Sequence, residues 1–285
     1  MDNSCPVPAG SLVIIGGKEN KGAETPADRK APEGFVPLEI LGKFVDLLSQ
    51  ENPVVEVVTS ASGEGEESFK EYRKLFIDLG IKEPGHMHHT SREQIAEQES
   101  IDRIRKADGV FFAGGDQLLL ASLYGGSKLL TELKNRYISE KIVIGGTSAG
   151  AMALSTPMIY AGNAEVQQIG GAIKVTTGLE FLKDVCIDTH FVHRARFVRL
   201  AQVIATNPTC IGLGIEEDTA VVITEGTKAE VIGSGTVLVI NGFDIKETSI
   251  AEFGNNRPLS IRNLRVDILA KDDLFEIPQI NPPHL

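Results

Sequence analysis

Short apolar runs alternate with stretches of helical periodicity along the first two thirds of the chain. Leu12, Val13, Ile14 and Ile15 predict a first strand. Leu38, Leu41, Val45 and Leu48 then fall on one face of a helix starting near Pro37. The run 54–58 predicts a second strand, and Phe69, Tyr72, Phe76 and Leu79 give the next helix its inner stripe. A third helix is expected to begin at a capping box, Ser91 with Gln94, and to end before the strand-like Gly109, Val110, Phe111 and Phe112. Residues 19–34, rich in charge, glycine and proline, read as a loop. Strand runs separated by helices predict an α/β fold, a mostly parallel sheet with helices on both faces.

After Ala220 the pattern shortens. Residues 220–224, 230–232 and 236–240 are brief β runs, and Gly233 and Gly235 bracket Ser234 in a way that suits a tight hairpin. Antiparallel strands are therefore expected at the edge of the sheet toward the C-terminus, with 261–269 as a final strand and Pro278, Pro282 and Pro283 in an irregular tail. Without an internal repeat or a long linker, residues 1–285 read as one domain.

Within this frame Ser148 stands in a G-x-S-x-G turn, between the expected strand 141–144 and a helix start at Ala149. A strand-to-helix turn of small residues exposes a hydroxyl and places helix-terminal N–H groups beside it. A serine needs a base, and the base an orienting acid. Among six histidines, His190 follows the apolar run 185–187 near the end of a strand, with His193 the weaker choice. Glu216, Glu217 and Asp218 close the run 211–215 and are the candidate acids. This order, serine, histidine, acid, differs from the Ser, Asp, His order of α/β-hydrolases, and no H-G-G-G segment precedes it.

Five stations in this order resemble the cyanophycinase and cyanophycinase-like serine peptidases, relatives of the aspartyl dipeptidases. They are Leu12 to Glu19 with its Gly16-Gly17 pair, Val57 to Gly63, Phe111 to Gln117, Gly145 to Ala151, and Asp188 to Leu200 followed by Gly214 to Ala220. The resemblance implies Ser148 as nucleophile, His190 as general base and then acid, and Glu217 as the orienting acid. It puts an oxyanion hole at the N–H groups of Gly115 and Ala149. It makes Gln117, Asp188, Thr189, Arg194, Arg196 and Arg199 the residues around the substrate, the arginines being suited to a carboxylate of a β-aspartyl unit. If residues 194–206 are helical, Arg196 and Arg199 share a face and Arg194 points elsewhere. Thr189 stands where cyanophycinases often carry glutamine. The implied activity is serine exopeptidase hydrolysis of cyanophycin to β-Asp-Arg dipeptides through an acyl-enzyme, by a homodimer. The alternatives are a dipeptidase acting on short aspartyl or isoaspartyl peptides and a non-catalytic homologue that binds such peptides.

Composition narrows the partners. A formal net charge of −11 argues against nucleic acid and anionic membranes, which ask for basic patches. No apolar stretch approaches the roughly 18 residues of a membrane span, and no signal-peptide pattern opens the chain, so a cytoplasmic location is expected. Cys5, Cys186 and Cys210 lack metal-ligand spacing and read as buried small residues in a reducing compartment. His86, His88 and His89 read as a polar surface loop, with no carboxylate or cysteine cluster to complete a metal site. Gly16-Gly17 lacks the rest of a nucleotide-binding loop, so neither metal nor cofactor is expected.

Overall fold

The structure, a computed structural model, describes residues 6–22, 36–162, 169–251 and 257–278. Strand and helix alternate first: β1 (Ser11–Ile15), α1 (Glu39–Asp46), β2 (Val55–Val58), α2 (Gly65–Asp78), β3 (Gly85–Met87), α3 (Arg92–Ala96), α4 (Gln98–Lys106), β4 (Gly109–Phe112), α5 (Gln117–Tyr124), α6 (Lys128–Ser139), β5 (Val143–Thr147) and α7 (Ala149–Ala153). Strands then dominate, with β6 (Ser155–Thr156), β7 (Met158–Ala161), β8 (Lys174–Thr176), β9 (Leu182–Lys183) and β10 (Val185–Thr189) leading to α8 (Phe197–Thr206). The chain continues through β11 (Ile211–Ile215), β12 (Thr219–Thr224), β13 (Lys228–Gly233), β14 (Val237–Asn241), β15 (Glu247–Thr248), β16 (Ile261–Arg262), β17 (Arg265–Leu269) and β18 (Leu274–Glu276).

The expected parallel sheet is present. Its strands run β18-β13-β12-β1-β5-β4-β2-β3. The five from β1 to β3 are mutually parallel, and β12, β13 and β18 extend the β1 edge in antiparallel pairing. Side chains alternate along β1 as a doubly covered strand requires. Val13 and Ile15 join one core with Phe44 of α1, Phe76 of α2 and Phe111 of β4, whereas Leu12 and Ile14 join the core on the other face. The T-shaped contact of Phe44 with Phe111, centroids 5.7 Å apart, fastens α1 to the sheet.

Three expectations are corrected. Residues 233–235 do not close a hairpin: β13 stays in the first sheet while β14 enters a second, ordered β17-β14-β11-β10-β6-β9. The hairpin lies one turn earlier, where Thr224 and Lys228 pair across Glu225, Gly226 and Thr227. Residues 261–269 form two strands in different sheets, β16 beside β15 and β17 beside β14. The third helix starts at its capping box but breaks into α3 and α4 at Glu97, whose ψ of 139° is extended. Within the second sheet β10 and β11 are parallel, with Thr189 opposite Ile215, so their C-terminal ends lie side by side. Residues 23–34 of the expected loop, Cys5, and Pro282 and Pro283 of the tail fall outside the described residues. Cys186 and Cys210 are buried thiols. No helix among the described residues is long and apolar enough to cross a membrane.

Candidate active site

Residue types at the end of β5 dictate the shape of the turn that holds Ser148. Gly146 lies so near the first turn of α7 that a Cβ there would be 2.7 Å from the carbonyl carbon of Gly150. The missing side chains let helix and strand close on each other. Between them Ser148 takes φ 51° and ψ −115°, a left-handed value that a serine adopts only when its surroundings impose it. Its N–H donates to the Ile15 carbonyl at 3.1 Å, and its own carbonyl accepts from Met152 N–H at 3.0 Å. The hydroxyl is left projecting from a fixed backbone.

His190 arrives from the second sheet, one residue beyond β10, also with positive φ (50°). Its N–H donates to Gly16 O at 2.9 Å. Its Nδ1 lies 2.7 Å from Glu217 Oε1, and its Nε2 lies 2.9 Å from Ser148 Oγ. An ionised carboxylate only accepts, so Nδ1 carries the proton and Nε2 is left to accept from the serine hydroxyl. This is the tautomer a general base needs. The three candidate carboxylates are sorted by geometry. Glu216 accepts from the N–H groups of Val192 and His193 and ties down the turn after His190. Asp218 accepts from Asn20 N–H and the Ser234 hydroxyl. Glu217 alone of the three meets the imidazole. The side chain of His193 makes no part of this chain of contacts.

Electrostatics favour the same protonation states. Burial lowers the His190 pKa below its ordinary value, the hydrogen bond to Glu217 works against that, and the charges of Arg194 and Arg196 add to the lowering. The ring is therefore neutral near pH 7. Burial pushes the Glu217 carboxyl up, but hydrogen bonds from His190 and Lys18 outweigh it and hold the group below its usual range. Lys18 Nζ stands 3.0 Å from the same oxygen that meets His190.

Ser148 and His190 open into a cleft of about 520 Å³. One wall is α2, contributing Glu67, Glu71 and Tyr72, with Glu64 just before it; the strand-to-helix loop after β1 contributes Lys18, Glu19 and Lys21. The periodicity of α2 marked Tyr72 as core and passed over its carboxylates. Glu19 was visible only as an acidic residue behind Gly16-Gly17. Gly114 lies against Ser148, and Gly115 (φ 142°) follows, where a Cβ would fall 2.0 Å from Ala61 O. Ala149 is the first residue of α7, so its N–H has no acceptor within the helix.

The other residues expected around the substrate are divided by the structure. Asp188 and Thr189 are fully buried, and Arg199 nearly so. Arg199 grips Asp188 through Nε at 2.6 Å and through Nη2, and donates Nη1 to Gly162 O at 2.9 Å. Arg196 donates to Asp188 at 3.1 Å and to Thr189 O at 2.8 Å, its pKa brought down to about 10 by burial. None of these four lines the cleft. Asp188, Arg196 and Arg199 form an ion network in the segment that leads to His190, and the Thr189 carbonyl accepts from Arg196. Arg196 and Arg199 do converge as expected, but on Asp188. Arg194 is exposed and close enough to His190 for its charge to act on the ring. Gln117 opens α5 and donates its amide to Ile159 O at 2.8 Å, so it does not simply face solvent.

The histidine run is corrected as well. His86 belongs to β3 and stacks on Phe69 with centroids 4.2 Å apart. His89 is buried, bonded to Tyr124 and Ser100, and burial takes its pKa down to about 4. No group of three or more potential ligands among the described residues could hold a metal ion.

Comparison with known proteins places the chain among peptidases. The chain is 34% identical over 239 residues to a cyanophycinase of Synechococcus elongatus, covering 84% of this chain and 74% of that one. It is 29% identical over 265 residues to a cyanophycinase of Geminocystis herdmanii, covering 93% of each. A peptidase from an acI-B1 Actinobacterium shares the fold, with a TM-score of 0.66 at 21% identity over 95% of this chain and 98% of that one. The model of Peptidase family S51 matches residues 36–231, a stretch that takes in the Ser148 turn, the His190 segment and the Glu217 loop. With more than half its length in that match, the chain belongs to peptidase family S51.

Proposed function

We propose that Ser148, His190 and Glu217 are the catalytic triad of this peptidase and that its substrate is cyanophycin, cleaved to β-Asp-Arg dipeptides from a chain end. The observation that carries the triad is the relay from Ser148 Oγ to His190 Nε2 and from His190 Nδ1 to Glu217. His190 takes the serine proton as Oγ attacks the peptide carbonyl, and the N–H groups of Gly115 and Ala149 receive the developing oxyanion. The imidazolium, stabilised by Glu217, then gives its proton to the leaving amine. Water enters, loses a proton to His190 and releases the acyl group from Ser148, restoring the free hydroxyl.

The substrate assignment is supported by the cleft and by the cyanophycinases among the relatives. Glu64, Glu67 and Glu71 outnumber Lys18 and Lys21 around the opening, a lining that suits guanidinium side chains. Arg194 is exposed and close enough to His190 for its charge to reach the ring, which supports its role in meeting the aspartyl carboxylate. A second reading is hydrolysis of short aspartyl peptides; Thr189, where cyanophycinases often carry glutamine, is fully buried next to His190 and would act on the pocket only through that segment. A homodimer in the cytoplasm belongs to the same reading, and sedimentation equilibrium checks the dimer.

The test is incubation of the purified protein with insoluble cyanophycin and, separately, with Asp-X dipeptides, following products by mass spectrometry. Release of β-Asp-Arg by the wild type, reduced on the order of 10⁴-fold in Ser148→Ala, is the expected result. Hydrolysis of dipeptides alone would move the assignment to the second reading. Full activity in Ser148→Ala would remove the serine from the mechanism.

A further inference from the structure

Glu19 is placed unusually for a carboxylate. It is 4% exposed, and no cation among the described residues lies within ion-pair distance of it. Its two oxygens are held by neutral hydroxyls. Tyr72 donates to Oε1 at 2.5 Å, and Thr147 donates to Oε2 at 2.7 Å. Burying a carboxylate without a cation is unfavourable unless its hydrogen bonds are well made. Tyr72 is a dependable donor, because burial and the neighbouring Glu19 charge keep its phenol protonated far above its ordinary range.

The partner on the other side gives the arrangement its meaning. Thr147 is the last residue of β5 and is bonded covalently to Ser148. The turn that follows holds Ser148 at a positive φ that an ordinary serine would relax, so it needs restraint on both sides. On the helix side the restraint is the Met152 bond to Ser148 O. On the strand side it is the Ser148 N–H bond to Ile15 O together with the Thr147 hydroxyl on Glu19. All three of Glu19, Tyr72 and Thr147 border the cleft.

We propose that Glu19 is a positioning residue for the nucleophile: through the Thr147 hydroxyl it locks the Ser148 turn in its attacking conformation, and Tyr72 in turn locks Glu19 from α2. The proposal rests on the triad reading above. It deepens that reading by assigning a fourth side chain, remote in sequence, to the geometry of attack.

The experiment uses the full chain and two readouts, release of β-Asp-Arg from a soluble oligomer of β-Asp-Arg units and the rate at which a fluorophosphonate probe labels Ser148. Thr147→Val keeps the shape of the side chain and removes its donor; Thr147→Ser keeps the donor. Thr147→Val is expected to lower kcat and the labelling rate roughly ten- to a hundredfold with KM within about threefold of wild type, since displacement of a reacting atom by an ångström has that effect. Thr147→Ser should be restored to near wild type. Glu19→Ala should show the same loss, and the Glu19→Ala, Thr147→Val double variant should be no worse than either single one, as two parts of one interaction. Multiplying losses, a change confined to KM, or an unchanged labelling rate in Thr147→Val would overturn the proposal. If Thr147→Val or Glu19→Ala loses its cooperative thermal transition, Tyr72→Phe, which removes only the far hydroxyl, is read by the same criteria. A wild type that neither hydrolyses peptide nor takes the probe overturns the triad reading together with this one. An active wild type with indifferent variants overturns this one alone.

Discussion

Gly17 is pressed against the imidazole of His190. A Cβ on Gly17 would sit 2.4 Å from Cε1 and 2.6 Å from Nε2, the nitrogen that faces Ser148. The same residue has φ 99°, and its carbonyl accepts from Asp218 N–H, next to Glu217. Gly17→Ala therefore strains the backbone and pushes the ring from the serine at once. Activity should fall roughly 100-fold or more, with a loss of stability of about 1–3 kcal/mol. Steady-state kinetics and a denaturant melt on the same preparation check both effects.

The pH profile should carry the signature of a depressed histidine. The base works only when neutral, so activity rises as pH climbs through the His190 pKa and then levels off. Burial lowers that pKa, which sets the acid limb below the ordinary histidine value of 6.5. Arg194 contributes to the lowering; Arg194→Gln removes a positive charge, eases protonation of the ring and moves the limb to higher pH. Labelling of Ser148 by a fluorophosphonate across pH 4–9 (about the range accessible to a histidine) reads the limb without involving substrate binding. An unmoved limb in Arg194→Gln would contradict the assignment.

Asp188 and Arg194 should separate support from recognition. Asp188→Asn leaves Arg199 and Arg196 without the carboxylate they share in the interior. Breaking one side of such a buried pair is expected to remove about 3–5 kcal/mol of stability. Arg194→Gln, at an exposed position, should leave the melting temperature in place and raise KM for aspartyl substrates. Thermal melts of the two variants beside their kinetics decide it, and the opposite pattern would return Asp188 to the substrate.

Gly115→Ala tests the oxyanion site. With φ 142° and Ala61 O standing 2.0 Å from any Cβ, the loop must shift, and with it the N–H proposed as an oxyanion donor. The loss should appear in kcat, roughly 10²- to 10³-fold as for removal of one oxyanion donor, and less in KM. Comparable loss in KM with kcat retained would place Gly115 in substrate binding instead.

The parallel part of the fold was legible because doubly covered strands are short apolar runs and their helices carry one apolar stripe. The candidate serine and histidine stood out because each follows such a run directly, Ser148 after β5 and His190 after β10, whereas Glu217, two residues past β11, was singled out from Glu216 and Asp218 by the family resemblance alone. The second sheet was not. Short antiparallel strands show the same alternation whichever sheet they join, and the glycines at 233 and 235 mark a sharp change of direction without saying to where. The break at Glu97 has no glycine or proline to announce it. The burial of Arg199 and His89 was not legible for a common reason: arginine and histidine are usually at the surface, and only the tertiary partners, Asp188 in one case and Tyr124 with Ser100 in the other, make it tolerable. The acidic wall of α2 escaped because periodicity identifies the face that packs, and of that face only Tyr72 reaches the cleft beside Glu67 and Glu71.

Ser148 is carried by one sheet and His190 by the other, while Glu217 sits on the crossing from β11 to β12 that joins them. On the proposed triad, catalytic alignment is therefore a property of the seam. A slip of one sheet against its neighbour would part serine from histidine while every strand ladder stayed intact, so the protein could remain folded by any measure of secondary structure and yet be silent. Turnover in this enzyme is a gauge of how firmly its two sheets are seated.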